Sequence, residues 1–326
     1  MKTLGVILGL IALLGVAGAC NSPGSPSATS ASQNPQVRQY TLVAEKVQHE
    51  LAPGVVVTAW GYNGQVPGPE VRANEGDTVR VTFTNNLPVP TSVHWHGVDV
   101  PWNMDGVPGV SQQPVKPGET FSYEFVAKPA GTRFYHTHGS GQEDEASQLD
   151  MGLYGPLIIE PAVKSQAYDV EMTIMLDEWN TTMMADQQMQ MGETMDYDVF
   201  TINAKAWPTT KPLVVKPDQR VLLRLINAGT STFHPMHLHG HSFRVVAVDG
   251  GPVPLDQQQV RDTLLVAPGE RYDIEFVANN PGVWVFHCHE LHHADGGMIM
   301  LVRYEGYELP AGQVEPMSPS MPGMGH

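Results

Sequence analysis

Four short stretches of the chain carry histidine at alternate positions: His94 and His96 in "HWHG", His136 and His138 in "HTHG", His237 and His239 in "HPMHLHG", and His287 and His289 in "HCHELHHADGGM". On an extended strand, residues two apart project from one face, so each pair presents two imidazoles together. Neutral imidazole suits copper, zinc, iron or nickel, and the histidines alone leave the metal open. Cys288 narrows the choice. As the middle residue of "HCH" it points its sulfur away from His287 and His289, toward other partners. His293 follows five residues later and Met298 ten. With His234, the first histidine of "HPMHLHG", these residues offer two imidazoles, one thiolate and one thioether, the donor set of a blue-copper electron-transfer site.

The elements that must hold these residues are visible as a repeat. Sliding the chain on itself by 151 residues sets "KPGETFSYEFVAKPAGTRFYHTH" over "APGERYDIEFVANNPGVWVFHCH" without a gap, which marks two copies of one unit. Phe121, Tyr123 and Phe125 in one copy, and Tyr272, Ile274 and Phe276 in the other, alternate with polar residues as in half-buried strands. Earlier in each copy "DTVRVTFTNN" and "QRVLLRLINAG" read the same way. Short strands with turn signals between them predict one β-sandwich per copy. At an offset of 143, "HWHG" also matches "HLHG", so each copy carries two His-x-His pairs. Thr137 stands where the second copy has Cys288, and the first copy therefore cannot build the mononuclear site.

Composition sets the surroundings. A chain of 326 residues accommodates two domains, each with its own core. The formal net charge of -16 predicts no binding to nucleic acid or to anionic membrane surfaces. The opening "MKTLGVILGLIALLGVAGAC" reads as an export signal, too short for a comfortable membrane span. Its ending allows two readings, a lipobox with a lipid anchor at Cys20 or an ordinary secretory signal cut near Ala19. Cys20 and Cys288 are the only cysteines, so the exported chain is not held by disulfides. The expected layout is an export signal over 1–19, a flexible tether over 20–36, a first domain over 37–162, a second over 163–308 and a Met/Pro-rich tail over 309–326. The joint between the domains falls between Pro161 and Tyr168.

The four histidine motifs in order, the last holding Cys288, His293 and Met298, resemble the multicopper oxidases, and specifically their two-domain, bacterial laccase-like type. The likeness extends from Gln36 to about Gly306. It implies an all-β fold of two cupredoxin-like Greek-key β-sandwich domains in tandem. It also implies four coppers per functional unit: a type 1 copper on His234, Cys288, His293 and Met298, a type 2 copper on His94 and His237, and a type 3 pair on His96, His136, His138, His239, His287 and His289. An electron taken from substrate through Cys288 and His293 would pass to the cluster that reduces dioxygen to water. In similar enzymes an aspartate placed like Asp105 assists proton delivery, though Asp-Gly is also a turn signal. Glu290 and Asp295 are further carboxylate candidates. His49, His241, His292 and His326 are expected to have surface or supporting places.

In this family the trinuclear cluster lies between two facing domains, and a joint of about eight residues is too short to bring one chain's own faces together. The resemblance therefore implies a head-to-tail homotrimer. The donor is expected to be Cu(I), in copper tolerance, or a small phenol or aryl amine. Met183, Met184, Met189, Met191 and Met195, with Met317, Met321 and Met324 in the tail, offer soft sulfur for Cu(I); methionines also serve simply as filling. Two rival readings stand. A copper nitrite reductase carries its blue site in the first domain, which lacks a cysteine here. A copper carrier without turnover would need only the mononuclear site. The chain is expected to work outside the cytoplasm, in the periplasm or at the cell surface.

Overall fold

Alternating burial along the strands builds the architecture: β4, for instance, buries Val79, Val81 and Phe83 while Arg80 and Thr82 face out. The computed structural model describes residues 34–139, 142–163, 167–181 and 196–309. The stretch read as an export signal, Cys20, residues 20–33 of the expected tether, the methionines from Met183 to Met195, and residues 310–326 of the expected tail, with His326, lie outside the described residues. Strands β1 (Val37–Ala52), β2 (Val55–Tyr62), β3 (Val71–Asn74), β4 (Thr78–Asn85), β5 (Val93–His96), β6 (Thr120–Val126), β7 (Gly131–Thr137) and β8 (Tyr154–Glu160) form the first sandwich. Its sheets run β2-β1-β4-β6 and β3-β8-β7-β5.

The second sandwich comprises β9 (Val170–Trp179), β10 (Val199–Ile202), β11 (Leu213–Val215), β12 (Arg220–Asn227), β13 (His234–Leu238), β14 (Phe243–Val248), β15 (Gly251–Pro252), β16 (Val260–Arg261), β17 (Thr263–Val266), β18 (Arg271–Val277), β19 (Val283–Cys288) and β20 (Ile299–Tyr304). One sheet runs β10-β9-β12-β18-β14-β15, with β16 beside β14, and the other runs β11-β20-β19-β13-β17. The path β1-β4-β6 of the first sandwich recurs as β9-β12-β18, and β8-β7-β5 recurs as β20-β19-β13. The repeat in the sequence is thus a repeat of strand order.

A buried asparagine marks the same turn in each copy. Asn85 donates to the carbonyls of Val89 and Val115 and accepts from Leu87 N–H; Asn227 donates to those of Thr232 and Val266 and accepts from Gly229 N–H. Each satisfies the main chain just ahead of a histidine strand, which is otherwise costly to bury.

Helices α1 (Gln142–Asp150) and α2 (Leu291–Asp295) follow the last histidine pair of each sandwich, where the strand-based reading placed no helix. Neither has a long apolar stripe for periodicity to reveal; α2 is set instead by Glu290, whose carboxylate accepts from His293 N–H at 2.9 Å as its N-cap.

The two sandwiches share an apolar junction. Met175, Trp179, Ile226 and Ala228 of the second pack into the same core as Trp60, Leu149 and Met151 of the first. Polar contacts cross it as well: Thr132 Oγ1 donates to Asp273 at 2.5 Å, and Arg133 reaches the Asp249 carbonyl. Gly131, at φ +128, lies so close to Gly250 that any side chain would collide with the Gly250 carbonyl. That position requires glycine on both counts.

Candidate metal centre

β13 alternates His234, Met236 and Leu238 into the core with Pro235 and His237 outward. β19 lies antiparallel to it, pairing Met236 with Cys288 and His237 with His287. Register alone therefore puts Cys288 on the core side and His287 on the other. Cys288, His234 and Met298 are fully buried. The Cys288 Sγ lies 3.9 Å from His234 Nδ1 and 3.5 Å from His293 Nδ1, and the donor atoms of the three residues lie within 4.8 Å of one another. The segment returns on itself so that Cys288 N–H donates to the Met298 carbonyl at 3.1 Å, and Met298 N–H to that of His293 at 3.0 Å.

The surroundings orient both imidazoles. His234 Nε2 meets the fully buried Glu178 carboxylate at 3.3 Å, and Glu178 also accepts from the N–H groups of Ser231 and Thr232. His293 Nε2 lies 3.3 Å from Glu290, and its ring stacks on Phe200 at 4.1 Å. Burial pushes the Cys288 thiol up to about 12 and His293 down to about 4. Both groups are neutral near pH 7 in the copper-free chain.

The matching place in the first sandwich is closed. Thr91, 143 residues before His234, and Thr137, 151 before Cys288, share a hydroxyl hydrogen bond of 2.6 Å. Thr137 also donates to Gln148 of α1 at 2.8 Å. Two hydroxyls, tied to an amide, stand where the second sandwich has His234 and Cys288.

On β5, His94 and His96 share one face while Val93 and Trp95 are buried behind them, Trp95 against Tyr123, Phe125 and Tyr135. β7 sets His136 opposite His94. The donor atoms of His94, His96 and His136 come within 4.8 Å of one another, with His96 Nδ1 3.3 Å from His136 Nε2. Burial, then the Arg271 charge, hold His96 down at about 3. His138 stands further off, its ring 6.1 Å from that of His94, with Nδ1 3.3 Å from Glu145 of α1. In the second sandwich His239 and His287 bring their Nε2 atoms to 3.0 Å, while His237 and His289 join at ring-centroid distances of 5.5–5.7 Å.

Backbone carbonyls fix the rings in both copies. His136 Nδ1 donates to the Thr137 carbonyl at 2.7 Å and His287 Nδ1 to that of Cys288 at 2.8 Å, leaving each Nε2 for a ligand. His94 Nδ1 donates to the Asp105 carbonyl at 2.8 Å, with the Asp105 carboxylate at 3.4 Å. The approach of that loop depends on Gly106, at φ +83, where a side chain would strike the Val93 carbonyl. His237 has the equivalent support from the Asp262 carbonyl and Thr263 Oγ1, both at 2.9 Å.

Motif reading did not find Asp262, Glu178, Glu145 or Phe200. Asp262 lies 25 residues from His237, whereas Asp105 lies 11 from His94, so no common spacing announces it. Of the histidines outside the motif pairs, His49 binds the Ala204 carbonyl at 2.6 Å, His241 shares a 2.7 Å hydrogen bond with the Tyr304 hydroxyl, and His292 is exposed beside Phe200. Asp295 ends α2, partly buried. Among the described residues, no ring contact joins the histidines of the first sandwich to those of the second.

Comparison with known proteins follows the same lines. Two profiles described as "Multicopper oxidase" match residues 44–164 and 179–306. "Multicopper oxidase MmcO" of Mycobacterium tuberculosis is 31% identical over 269 residues, covering 73% of this chain and 51% of that protein. "Copper resistance protein A" of Pseudomonas syringae pv. tomato is 31% identical over 268 residues, covering 67% of this chain and 42% of that protein. The chain thus spans about half the length, or less, of these curated relatives. The solved "Multicopper Oxidase mgLAC" superposes with a TM-score of 0.78 at 36% identity, covering 88% of this chain and 92% of that one. The fold is all-β, two cupredoxin-like sandwiches in tandem, and the chain belongs to the multicopper oxidase family.

Proposed function

We propose that this chain couples the one-electron oxidation of a donor to the four-electron reduction of dioxygen to water. The observation that carries the reading is the end of β19, where one residue turns a thiol into a buried pocket while its neighbours turn imidazoles the other way. Copper fits the residues present. A buried thiol between two imidazole Nδ1 atoms at 3.9 and 3.5 Å, beside a buried thioether, is a soft, closed donor set. Paired imidazole nitrogens at 3.3 and 3.0 Å, with one ring of each pair backed by a carbonyl, are donors held ready for cations.

We assign the type 1 copper to His234, Cys288, His293 and Met298, the type 2 copper to His94 and His237, and the type 3 pair to His96, His136, His138, His239, His287 and His289. When bound, copper would supply the one-electron chemistry at both centres. The chain supplies the rest. His293, partly buried in α2, stands between donor and pocket; Cys288 connects that pocket to His287 and His289 through a few covalent bonds. Glu178 and Glu290 hold the outer nitrogens of His234 and His293. The Asp105 carbonyl fixes His94, and its partly exposed carboxylate, 3.4 Å from the ring, is placed to pass protons.

The separation of the two histidine sets supports assembly. Each set is short of ligands alone, and we propose that the first domain (37–162) of one subunit faces the second (163–308) of the next in a homotrimer. We further propose that the chain is exported to the periplasm or cell surface, with a lipid anchor at Cys20. As donor we favour Cu(I), in keeping with the name of the copper resistance relative and with the methionine-rich segment; a phenol or aryl amine is the second reading. The closed Thr91–Thr137 position argues against a nitrite reductase, and eight histidines beyond the mononuclear site argue against a simple carrier. Oxygen uptake by copper-loaded protein, with Cu(I) and with a phenol, tests the reading and ranks the donors. No uptake with either would leave the carrier.

A further inference from the structure

Dioxygen reduced beside the histidines of the first sandwich would consume protons, and one buried acid outside the motifs lies close to that side of the molecule. Asp150 ends α1 and is 8% exposed. Its carboxylate accepts from Thr230 Oγ1 at 2.8 Å and from the Tyr197 hydroxyl at 3.3 Å, and those two hydroxyls share a 2.8 Å hydrogen bond. Thr230 also lines a cleft of about 240 Å³ between the sandwiches whose far wall is His96 and His136, with Glu145 beside them. A cleft of that size, edged by His96, His136, Glu145 and Thr230, has room for several waters.

The charged groups around Asp150 are acidic or neutral. β9 brings the fully buried Asp177 and Glu178, and the segment after residue 195 brings the Tyr197 hydroxyl. Burial first, opposed by the Thr230 hydrogen bond and reinforced by the Glu178 charge, pushes Asp150 up to about 7. An acid that serves only to pin a helix gains nothing from such surroundings; one that takes up and releases protons near neutrality does.

We propose that Asp150 is a proton-carrying residue for the first-sandwich half of the oxygen site, taking protons from solvent and passing them through the Thr230 hydroxyl and water in the cleft toward His96 and His136. The proposal rests on the oxygen-reduction reading. Each dioxygen reduced to two waters consumes four electrons and four protons; Asp150 breaks its O–H bond to release a proton, regains one from solvent, and carries no electrons.

The test compares copper-loaded wild type, Asp150→Asn and Thr230→Val. Oxygen uptake is followed from about pH 5 to 9, donor reduction of the blue chromophore is followed without oxygen, and carboxyl titration is followed by infrared in copper-free protein. Wild-type uptake should fall as pH rises through about 7, as Asp150 loses its proton. Asp150→Asn should lose uptake by at least about tenfold below that pH, less than the 10²–10⁴ of a direct general acid because water still enters. It should also lose the falling limb and the titrating carboxyl band while donor reduction stays within about twofold. Thr230→Val should slow uptake yet keep the band. Wild-type rates and pH profiles in both variants, or an Asp150 band titrating in the ordinary carboxylate range, would overturn the proposal. No uptake by the wild type would sink the oxidase reading itself, and the conduit with it.

Discussion

A thiol that burial pushes up to about 12 stays protonated at neutral pH, yet Cys288 faces imidazoles rather than hydrocarbon alone. Metal binding must displace that proton, and the gain in metal–thiolate bonding offsets the cost. Replacing Cys288 with Ser should remove the intense visible absorption, leave one copper fewer per chain by metal analysis, and cut oxygen uptake by at least about a hundredfold, as when one member of a jointly acting set is removed. Retention of the absorption would show that another residue holds that copper. Glu290 is a second residue-scale case, since its carboxylate caps α2 and touches His293 Nε2. Glu290→Ala should cost about 1 kcal/mol of stability, seen as a lower denaturant midpoint. An unchanged midpoint would mean that the cap contributes nothing. The residues assigned to copper were legible in the sequence because types and spacings repeat. Their supports were not: Glu178 lies 56 positions from His234 and reaches it only through the pairing of β9 with β12.

At the scale of elements, the sandwiches could be read from alternation and from the repeat, because a strand's face is set by period two. The two helices could not, since α1 is short and acidic and α2 depends on one cap. α1 nevertheless does two things: Gln148 helps close the position that Cys288 fills in the other copy, and Asp150 docks on the second sandwich. The docking has a pH signature. Asp150 titrates at about 7 when folded against an ordinary value of 3.8, so its neutral form stabilises the fold. That contribution is whole below 3.8 and is lost as pH rises through about 7. Asp150→Asn should therefore melt higher than wild type at about pH 8, by on the order of a few kcal/mol in stability, with the gap closing by about pH 4. A gap independent of pH would contradict the assignment.

For the whole molecule, the junction between sandwiches is apolar and crossed by Thr132, Arg133 and Asp273, and among the described residues no ring contact joins the two histidine sets. Light scattering of copper-loaded protein should give three times the mass of the processed chain; a monomer that retains four coppers would refute the shared cluster. The proposed trimer follows from the sequence only as an implication of family likeness, because a short joint says that the faces are separate but not what covers them. In the proposed reaction the pocket at Cys288 feeds electrons to an oxygen-reducing cluster. Steady-state oxygen uptake, measured side by side on copper-loaded wild type and Cys288→Ser with Cu(I) and a phenol, tests it most directly. One dioxygen should be consumed per four electrons from the preferred donor, without accumulated peroxide, and the variant should show no uptake above background. Equal uptake by both proteins, or peroxide as the product, would contradict it.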